Sequence, residues 1–210
     1  VKRLYERLGT QRPIVTVNFG VGGDAAKSVS EDYERRLVEA LINEGALVIL
    51  DKGFGTDEEA RTDRLTRALE GTYGVREVQS DELGALAAEE LKDVQLLVHH
   101  GGIATFGSLV QGSSVYIGYD SMGQHLAAAL KVPVIVVFAG SETDWFHVLW
   151  TPYTDSRVEK VLYGTRDKML IAQATDEAEQ KTVKQVLSHY RRLVRRGKGS
   201  PPGEMLRWWH

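Results

Sequence analysis

Three short stretches of the sequence combine residue types that can bind a charged ligand, and the first is a glycine-rich loop. It runs from Gly20 to Ser28 and contains Gly22, Gly23 and Lys27. Glycines let a phosphate approach backbone N–H groups closely, and a lysine adds positive charge. The spacing matches neither the P-loop nor the dinucleotide-binding pattern. A flexible loop with a solvated lysine is therefore an alternative explanation.

The second stretch is an acidic pair, Glu58 and Glu59, which follows the second predicted strand. In nucleotide-binding folds an acidic residue in this region often accepts a hydrogen bond from a ribose hydroxyl. Glu58 is the better candidate for that contact and Glu59 is its alternative. Both also lie in the first turn of a helix that Thr56 is predicted to cap, where negative charge offsets the helix dipole.

The third stretch follows Val115–Tyr119, a β-branched and aromatic run that predicts a buried strand. Asp120, Ser121, Gly123 and His125 come next, and a helix and a further strand follow them. In such a βαβ unit, ligands bind at the carboxyl ends of the strands beside the helix N-terminus. The alternatives are an ordinary Asp-Ser helix cap and a histidine packed in the core.

Two adjacent histidines, His99 and His100, invite a metal-site interpretation, but no Asp, Glu or third His lies nearby at ligand spacing. On a strand their side chains point to opposite faces. The chain has no cysteine, which excludes a Cys-based zinc site and a thiol nucleophile. A formal net charge of −3 gives no electrostatic footprint for nucleic acid. We therefore predict neither a metal site nor a nucleic-acid partner.

Strand and helix patterns alternate along most of the chain, which predicts an α/β, Rossmann-like three-layer domain with a mostly parallel sheet of six or seven strands. The predicted strands are Ile14–Phe19, Ala46–Leu50, Val75–Val78, Val94–Val98, Val115–Tyr119, Val134–Phe138 and Val158–Tyr163. The predicted helices include one capped by Ser30, with Tyr33, Leu37, Leu41 and Ile42 as its buried stripe, one over Asp81–Lys92 and a long one over Asp176–Arg196.

We predict a single domain over residues 1–196, with 1–12 as a lead-in helix and linker and 197–210 as a tail. No signal-peptide or membrane-span pattern is visible, so a soluble, cytoplasmic protein is expected. The aromatic stretch Trp145–Tyr153 has three competing explanations, which are core packing, a lid, and a face that meets another domain. The tail contains Trp208-Trp209, and we expect it to dock on a surface.

The order of residues from Asp120 to Phe138 resembles the donor-binding signature of glycosyltransferase family nine, the family of the lipopolysaccharide heptosyltransferases. The family pattern is D-[ST]-G-x-x-H-L-A-A-A-L-x-x-P-[LIV]-[LIV]-x-[LIV]-F-G. One departure is Met122, which stands where the family usually has glycine, and Gly123 follows it. The matching residues are Asp120, Ser121, His125, Leu126, Ala127, Ala128, Ala129, Leu130 and Pro133.

The resemblance covers about Ile14 to Tyr153 and implies one half of a GT-B enzyme, the C-terminal domain that binds a nucleotide-diphosphate sugar. It implies that Lys27 contacts the donor diphosphate, that Glu58 holds the ribose and that Gly102 lies near the nucleobase. The full set of implied donor-binding residues is Gly22, Gly23, Lys27, Glu58, Gly102, Asp120, Ser121, Met122, Gly123 and His125. No metal or other cofactor is expected.

The acceptor domain has no counterpart in this sequence, and in the family the general base belongs to that absent N-terminal half. We therefore expect no catalytic residue here and no transfer activity from this chain alone. The expected role is donor binding in cell-envelope glycan or lipopolysaccharide synthesis, with any contact to a membrane-bound acceptor made through the missing half. The alternatives are a non-catalytic nucleotide-binding or partner-binding module and a sugar-nucleotide epimerase of GT-B shape.

Overall fold

The computed structural model describes residues 1, 4–6, 12–140, 145–163 and 175–197. Within these ranges seven strands alternate with helices along the chain. The strands are β1 (Ile14–Asn18), β2 (Leu47–Asp51), β3 (Val75–Gln79), β4 (Leu96–His100), β5 (Val115–Tyr119), β6 (Val134–Phe138) and β7 (Val158–Leu162). The α-helices are α1 (Glu31–Asn43), α2 (Thr56–Leu69), α3 (Ala88–Leu91), α4 (Ile103–Gln111), α5 (Met122–Ala129), α6 (Phe146–Leu149) and α7 (Asp176–Gly197).

The seven strands form one sheet in the order β3-β4-β2-β1-β5-β6-β7, and every neighbouring pair is parallel. This confirms the predicted Rossmann-like α/β fold. The central strands are buried along their whole length because helices cover both faces, as continuous apolar runs such as β5 and β6 require. All strands run the same way, so the loops that follow them lie along one edge of the sheet.

The strand order reverses direction at β1, which pairs with β2 on one side and with β5 on the other. Asn18 of β1 lies in register with Gly118 of β5. In open α/β sheets a crevice forms at this switch point, outside the carboxyl ends of the strands. The glycine-rich loop after β1 and the Asp120 turn after β5 are thus brought to the same place.

The helix after the glycine-rich loop forms as predicted. The Ser30 hydroxyl accepts a hydrogen bond from the Tyr33 amide at 3.0 Å, which satisfies one of the free donors of the first turn. The predicted apolar stripe of α1 is buried and packs in one core with residues of α7. Gly45 follows the helix with a φ of 82°, a left-handed conformation that favours glycine at a helix end.

Two local predictions are wrong. The predicted helix over Asp81–Lys92 is instead a 3₁₀ turn, Glu82–Gly84, followed by the four-residue α3. The buried residues Leu83, Leu86 and Leu91 contact the core from these short pieces, so packing rather than helical continuity decides this segment. Thr56 does not cap α2 but is its first residue, because the N-cap position belongs to Gly55, whose φ is 100°.

At the ends of the chain, Leu4–Glu6 is helical, and Leu4 is completely buried. The rest of the predicted lead-in up to residue 11 lies outside the described residues, apart from Val1, and so does the predicted tail after Gly197. None of the helices in the described ranges is long and apolar enough to cross a bilayer.

Candidate functional site

An ion pair between Lys27 and Asp120 lies at the switch point of the sheet. Lys27 ends a 3₁₀ turn in the loop after β1, and Asp120 follows the last residue of β5. The Lys27 Nζ is 3.2 Å from Asp120 Oδ2. The Asp120 side chain is 4 % exposed and that of Lys27 is 28 % exposed. The opposite charges of these two predicted donor-binding residues therefore neutralise each other in this structure.

Asp120 is held on its other side by Gln124, one turn into α5. The Gln124 amide donates to Asp120 Oδ1 at 2.5 Å and to the backbone oxygen of Trp150 at 3.3 Å. Gln124 is completely buried. The other carboxylate oxygen, Asp120 Oδ2, faces Lys27. Apart from that ion pair, it accepts no hydrogen bond from the described residues. Asp120 is thus oriented by Gln124 with one oxygen left for a ligand or for the ammonium.

The aromatic segment 145–153 meets this ion pair through Phe146. The Lys27 ammonium lies 5.5 Å from the centre of the Phe146 ring, within the range of a cation–π contact. Trp145 and Leu149 are 70 % and 76 % exposed, and Tyr153 is fully exposed. Core packing therefore accounts for Phe146, whose ring lies 6.3 Å from that of the buried Phe138, but not for these exposed side chains. The lid and the domain-facing surface both agree with its position beside Lys27.

His125 is exposed and contacts the same segment. Its ring lies 6.4 Å from that of Trp150 in an edge-to-face arrangement. The alternative of a histidine packed in the core is wrong. His125 faces solvent next to the Asp120 turn and is accessible to a ligand there.

The turn between β5 and α5 shows why glycine stands at 123. A Cβ at Gly123 would lie 2.1 Å from the hydroxyl oxygen of Tyr116, which is completely buried. Burial also raises the pKa of the Tyr116 phenol, so that hydroxyl stays neutral. Met122 is 53 % exposed and Ser121 occupies the N-cap position without making a side-chain cap. This leaves the N-terminus of α5 available to an acceptor from outside.

The glycine-rich loop does not present all of its amides to the crevice, because Glu58 binds two of them. One carboxylate oxygen, Oε1, accepts from Val21 at 3.0 Å and from Gly22 at 3.3 Å. The other oxygen, Oε2, accepts from Phe54 at 3.0 Å. Glu58 thereby joins the loops that follow β1 and β2. The Gly22 amide predicted to meet a diphosphate is occupied by a carboxylate instead.

Gly23 and Gly102 complete the predicted set. Gly23 has a φ of 84°, and a Cβ there would meet nothing within 4 Å, so the loop is open at this point. Gly102 is the N-cap of α4 and is exposed after β4, two strands away from β1 in the sheet. Among the described residues, no group of three or more His, Asp or Glu side chains is placed to hold a metal ion.

Sequence reasoning missed Gln124 and Phe146. Gln124 stands four residues after Asp120, a spacing that brings two side chains together on a helix, and this signal was available. Phe146 gave no such signal, because only the fold brings the segment after β6 next to the loop after β1.

The parallel sheet with its crevice between the loops after β1 and β5 defines a Rossmann-like domain of the kind found in GT-B glycosyltransferases. The model of glycosyltransferase family 9 (heptosyltransferase) matches residues 2–181, and the chain belongs to this family.

Among curated proteins, the chain is similar to lipopolysaccharide heptosyltransferase 3 of Escherichia coli strain K12, with 26% identity over 133 residues. That match covers 63% of this chain and 32% of the relative. Among solved structures, it is similar to the E. coli heptosyltransferase WaaC with ADP-2-deoxy-2-fluoro heptose, with a TM-score of 0.54 and 20% identity. It is also similar to the E. coli ADP-heptose lps heptosyltransferase II, with a TM-score of 0.58 and 18% identity.

The two structural matches cover 87% and 90% of this chain but 46% and 49% of the solved chains. At these identities they show the fold, which is that of one half of each neighbour. The chain therefore spans about a third of the curated relative and about half of each structural neighbour.

Proposed function

We propose that this chain is the donor-binding half of a family 9 glycosyltransferase and that its ligand is a nucleotide-diphosphate sugar of the ADP-heptose type. The observation that supports the proposal most is the position of Lys27 and Asp120, 3.2 Å apart at the switch point of the sheet. In a nucleotide-diphosphate sugar, the phosphates lie next to the hydroxyls of the sugar. A site that binds it therefore needs a cation for the phosphates beside a carboxylate for the hydroxyls.

The charge of the reaction explains the role of the cation. When the glycosidic bond breaks, the leaving nucleoside diphosphate gains negative charge, and donors aimed at that charge lower the barrier. Lys27 supplies an ammonium, and the first amides of α5, at Met122 and Gly123, point out of the helix N-terminus. In this proposal the diphosphate is held by these groups, and the reaction needs no metal ion.

Asp120 carries the wrong sign for a diphosphate and fits the sugar. In this structure its Oδ2 oxygen is paired with Lys27. We infer that the donor exchanges these partners: the diphosphate takes the Lys27 ammonium, and Asp120 Oδ2 then accepts from a sugar hydroxyl. Gln124 keeps the carboxylate in place during this exchange, because it binds the other oxygen.

The remaining donor contacts are assigned by position. Gly102 lies at the end of β4, on the side expected for the nucleobase. Glu58 keeps one lone-pair position on Oε2 for a ribose hydroxyl after its three backbone bonds are counted.

The second half of the enzyme completes the proposal. The acceptor, its general base and any contact with a membrane-bound acceptor are assigned to an N-terminal domain outside this sequence. We propose that the exposed segment 145–153 faces that domain, and that the complete enzyme works on the cytoplasmic side in lipopolysaccharide synthesis.

Calorimetric titration of this chain with ADP tests the donor site. We expect saturable binding that weakens by about 1–3 kcal/mol in Lys27→Ala, the usual loss for a charged hydrogen bond. Lys184→Ala is the matched control, since it removes an equal charge from an exposed position on α7. Equal affinity of the Lys27 variant and the wild type would remove Lys27 from the site.

A transfer assay separates the donor-domain proposal from its rivals. The chain alone should show no sugar transfer, and activity should need the N-terminal half. Robust transfer or epimerisation by this chain alone would contradict the assignment. A chain that binds no sugar nucleotide would instead favour a partner-binding module.

A further inference from the structure

A buried chain of hydrogen bonds crosses the carboxyl ends of four strands beside the donor site, and the proposed function does not use it. Its centre is His99 on β4, which is completely buried. His99 Nδ1 lies 2.8 Å from Asp51 Oδ1 on β2, and His99 Nε2 lies 3.0 Å from the hydroxyl of Ser80, just after β3. Asp51 Oδ2 accepts from the Asn18 amide nitrogen on β1 at 2.9 Å.

The chemical type of each group limits which atom can donate in this chain of hydrogen bonds. A carboxylate can only accept, so His99 Nδ1 must carry the proton that it shares with Asp51. His99 Nε2 accepts from the Ser80 hydroxyl when the imidazole is neutral and donates to the Ser80 oxygen when it is protonated, so the contact forms in either case. Since the Asn18 nitrogen donates to Asp51, its oxygen faces the other way and accepts from the Gly20 amide at 3.0 Å. Every group in the chain therefore has a partner of the right kind.

The order Ser80–His99–Asp51 is that of a serine hydrolase triad, but this hydroxyl is not placed to react. Gly101 packs so closely on Ser80 that a Cβ at Gly101 would lie 1.7 Å from Oγ and 2.9 Å from His99 Nε2. The Gly101 backbone therefore lies against one side of the Ser80 oxygen, and this close packing favours a structural role for the hydroxyl. Ser80 is the outer end of the chain of hydrogen bonds.

The inner end of the chain is Gly20, the first residue of the loop that carries Lys27. Asn18 holds the Gly20 amide, and Glu58 holds the next two amides, those of Val21 and Gly22. The loop is thus fixed from two independent sides before it reaches the crevice. Only the Asn18 side depends on a residue as distant as β4.

We propose that His99 is a positioning residue for the donor site: through Asp51 and Asn18 it fixes the start of the glycine-rich loop and so sets the place of Lys27 opposite Asp120. The effect on ligand binding rests on the proposed function. The effect on the loop does not, because it can be observed in the protein without a ligand.

His99→Leu and His99→Asn form a matched pair of similar shape. Asn can still donate to Asp51 from the position of Nδ1, and Leu cannot. We expect amide hydrogen exchange at Gly20, followed by NMR, to be about tenfold faster in the Leu variant and nearly normal in the Asn variant. ADP affinity should fall about tenfold in the Leu variant and recover in the Asn variant, as for one buried hydrogen bond.

Gly101→Ala tests the same chain without removing any hydrogen-bonding group, and it applies even if His99→Leu does not fold. Its new Cβ displaces the Ser80 hydroxyl and should speed exchange at Gly20. Gly84→Ala is the control, because a Cβ there meets nothing within 4 Å. Unchanged Gly20 exchange in both Gly101→Ala and any folded His99→Leu protein would overturn the proposal.

Faster exchange with unchanged ADP affinity would also overturn the positioning role, because the loop would then be irrelevant to binding. If the wild type binds no ADP, the proposed function fails, and Gly20 exchange alone decides whether His99 orders the loop.

Discussion

Lys27 Nζ and Asp120 Oδ2 lie 3.2 Å apart, although 93 positions separate residues 27 and 120 in the sequence. Parallel pairing of β1 with β5 brings them together, because it places the loops after both strands on the same edge. The aspartate is nearly buried and the lysine is not. A ligand from solvent therefore meets the lysine first and must compete with the aspartate for it.

Asp120→Asn should separate binding of the diphosphate from binding of the sugar. Without the carboxylate, Lys27 loses the anion with which it pairs in this structure, and ADP should bind about threefold to tenfold more tightly, a gain of about 1 kcal/mol. The sugar nucleotide should gain less than ADP, because the amide of the variant cannot make the proposed carboxylate contact. Calorimetry with both ligands gives the ratio. Asp155→Asn, which removes an exposed carboxylate paired with Lys131, should change neither affinity.

Gln124→Met should lower the free energy of unfolding by about 1–3 kcal/mol, since it leaves the buried Asp120 Oδ1 and the part-buried Trp150 carbonyl without this donor. Gln180 makes the same kind of contact with Asp176, four residues earlier, but on an exposed surface. Gln180→Met should therefore cost only about 0.2–0.5 kcal/mol. Urea unfolding of the two variants checks this, and equal losses would show that Gln124 does not hold Asp120 as described.

Glu58→Ala should release the two loops that Glu58 joins. We expect faster amide exchange at Val21, Gly22 and Phe54, whose amides lose their acceptor. Glu59→Ala is the neighbouring control, because Glu59 contacts His100 at 3.7 Å instead of the loop. The same pair of variants decides between Glu58 and Glu59 as the ribose contact, by the loss of ADP affinity. Equal exchange in both variants would contradict the joining role of Glu58.

The contribution of Glu34 to the free energy of unfolding should decrease as the pH rises. Burial raises the pKa of Glu34 to about 7, and the paired Arg61 guanidinium only partly offsets this. The folded state then binds a proton that the unfolded state releases above the ordinary pKa of 4.5. The Glu34 contribution is full below that value and is lost as the pH rises towards 7, by roughly 1.4 kcal/mol per unit.

The measurement is urea unfolding of the wild type and Glu34→Gln between pH 4.5 and 8. The difference between their stabilities should fall with pH up to about 7 and then stay flat. Glu31→Gln should give a nearly flat difference over this range, because hydrogen bonding from Arg64 lowers the pKa of Glu31 and its pH dependence therefore lies below 4.5. A flat difference for Glu34 across this range would contradict its raised pKa.

Much of the fold was predictable from local patterns. β5 and β6 begin and end at the predicted residues, because a buried parallel strand is a continuous apolar run with clear turns on either side. The segment 81–92 was not predictable in the same way. Its leucines have a helical spacing, but a 3₁₀ turn and the short helix α3 bury them instead of one continuous helix.

Sequence alone determined the fold class, the family signature from Asp120 onwards, and the presence of one lysine and one carboxylate beside glycine turns. Those properties are local, since they depend on residue types within a few positions of each other. The tertiary structure decided that Lys27 faces Asp120, that Glu58 occupies the Gly22 amide and that His99 reaches Gly20 through two strands. Such contacts depend on the order of strands in the sheet, which no short stretch of sequence specifies.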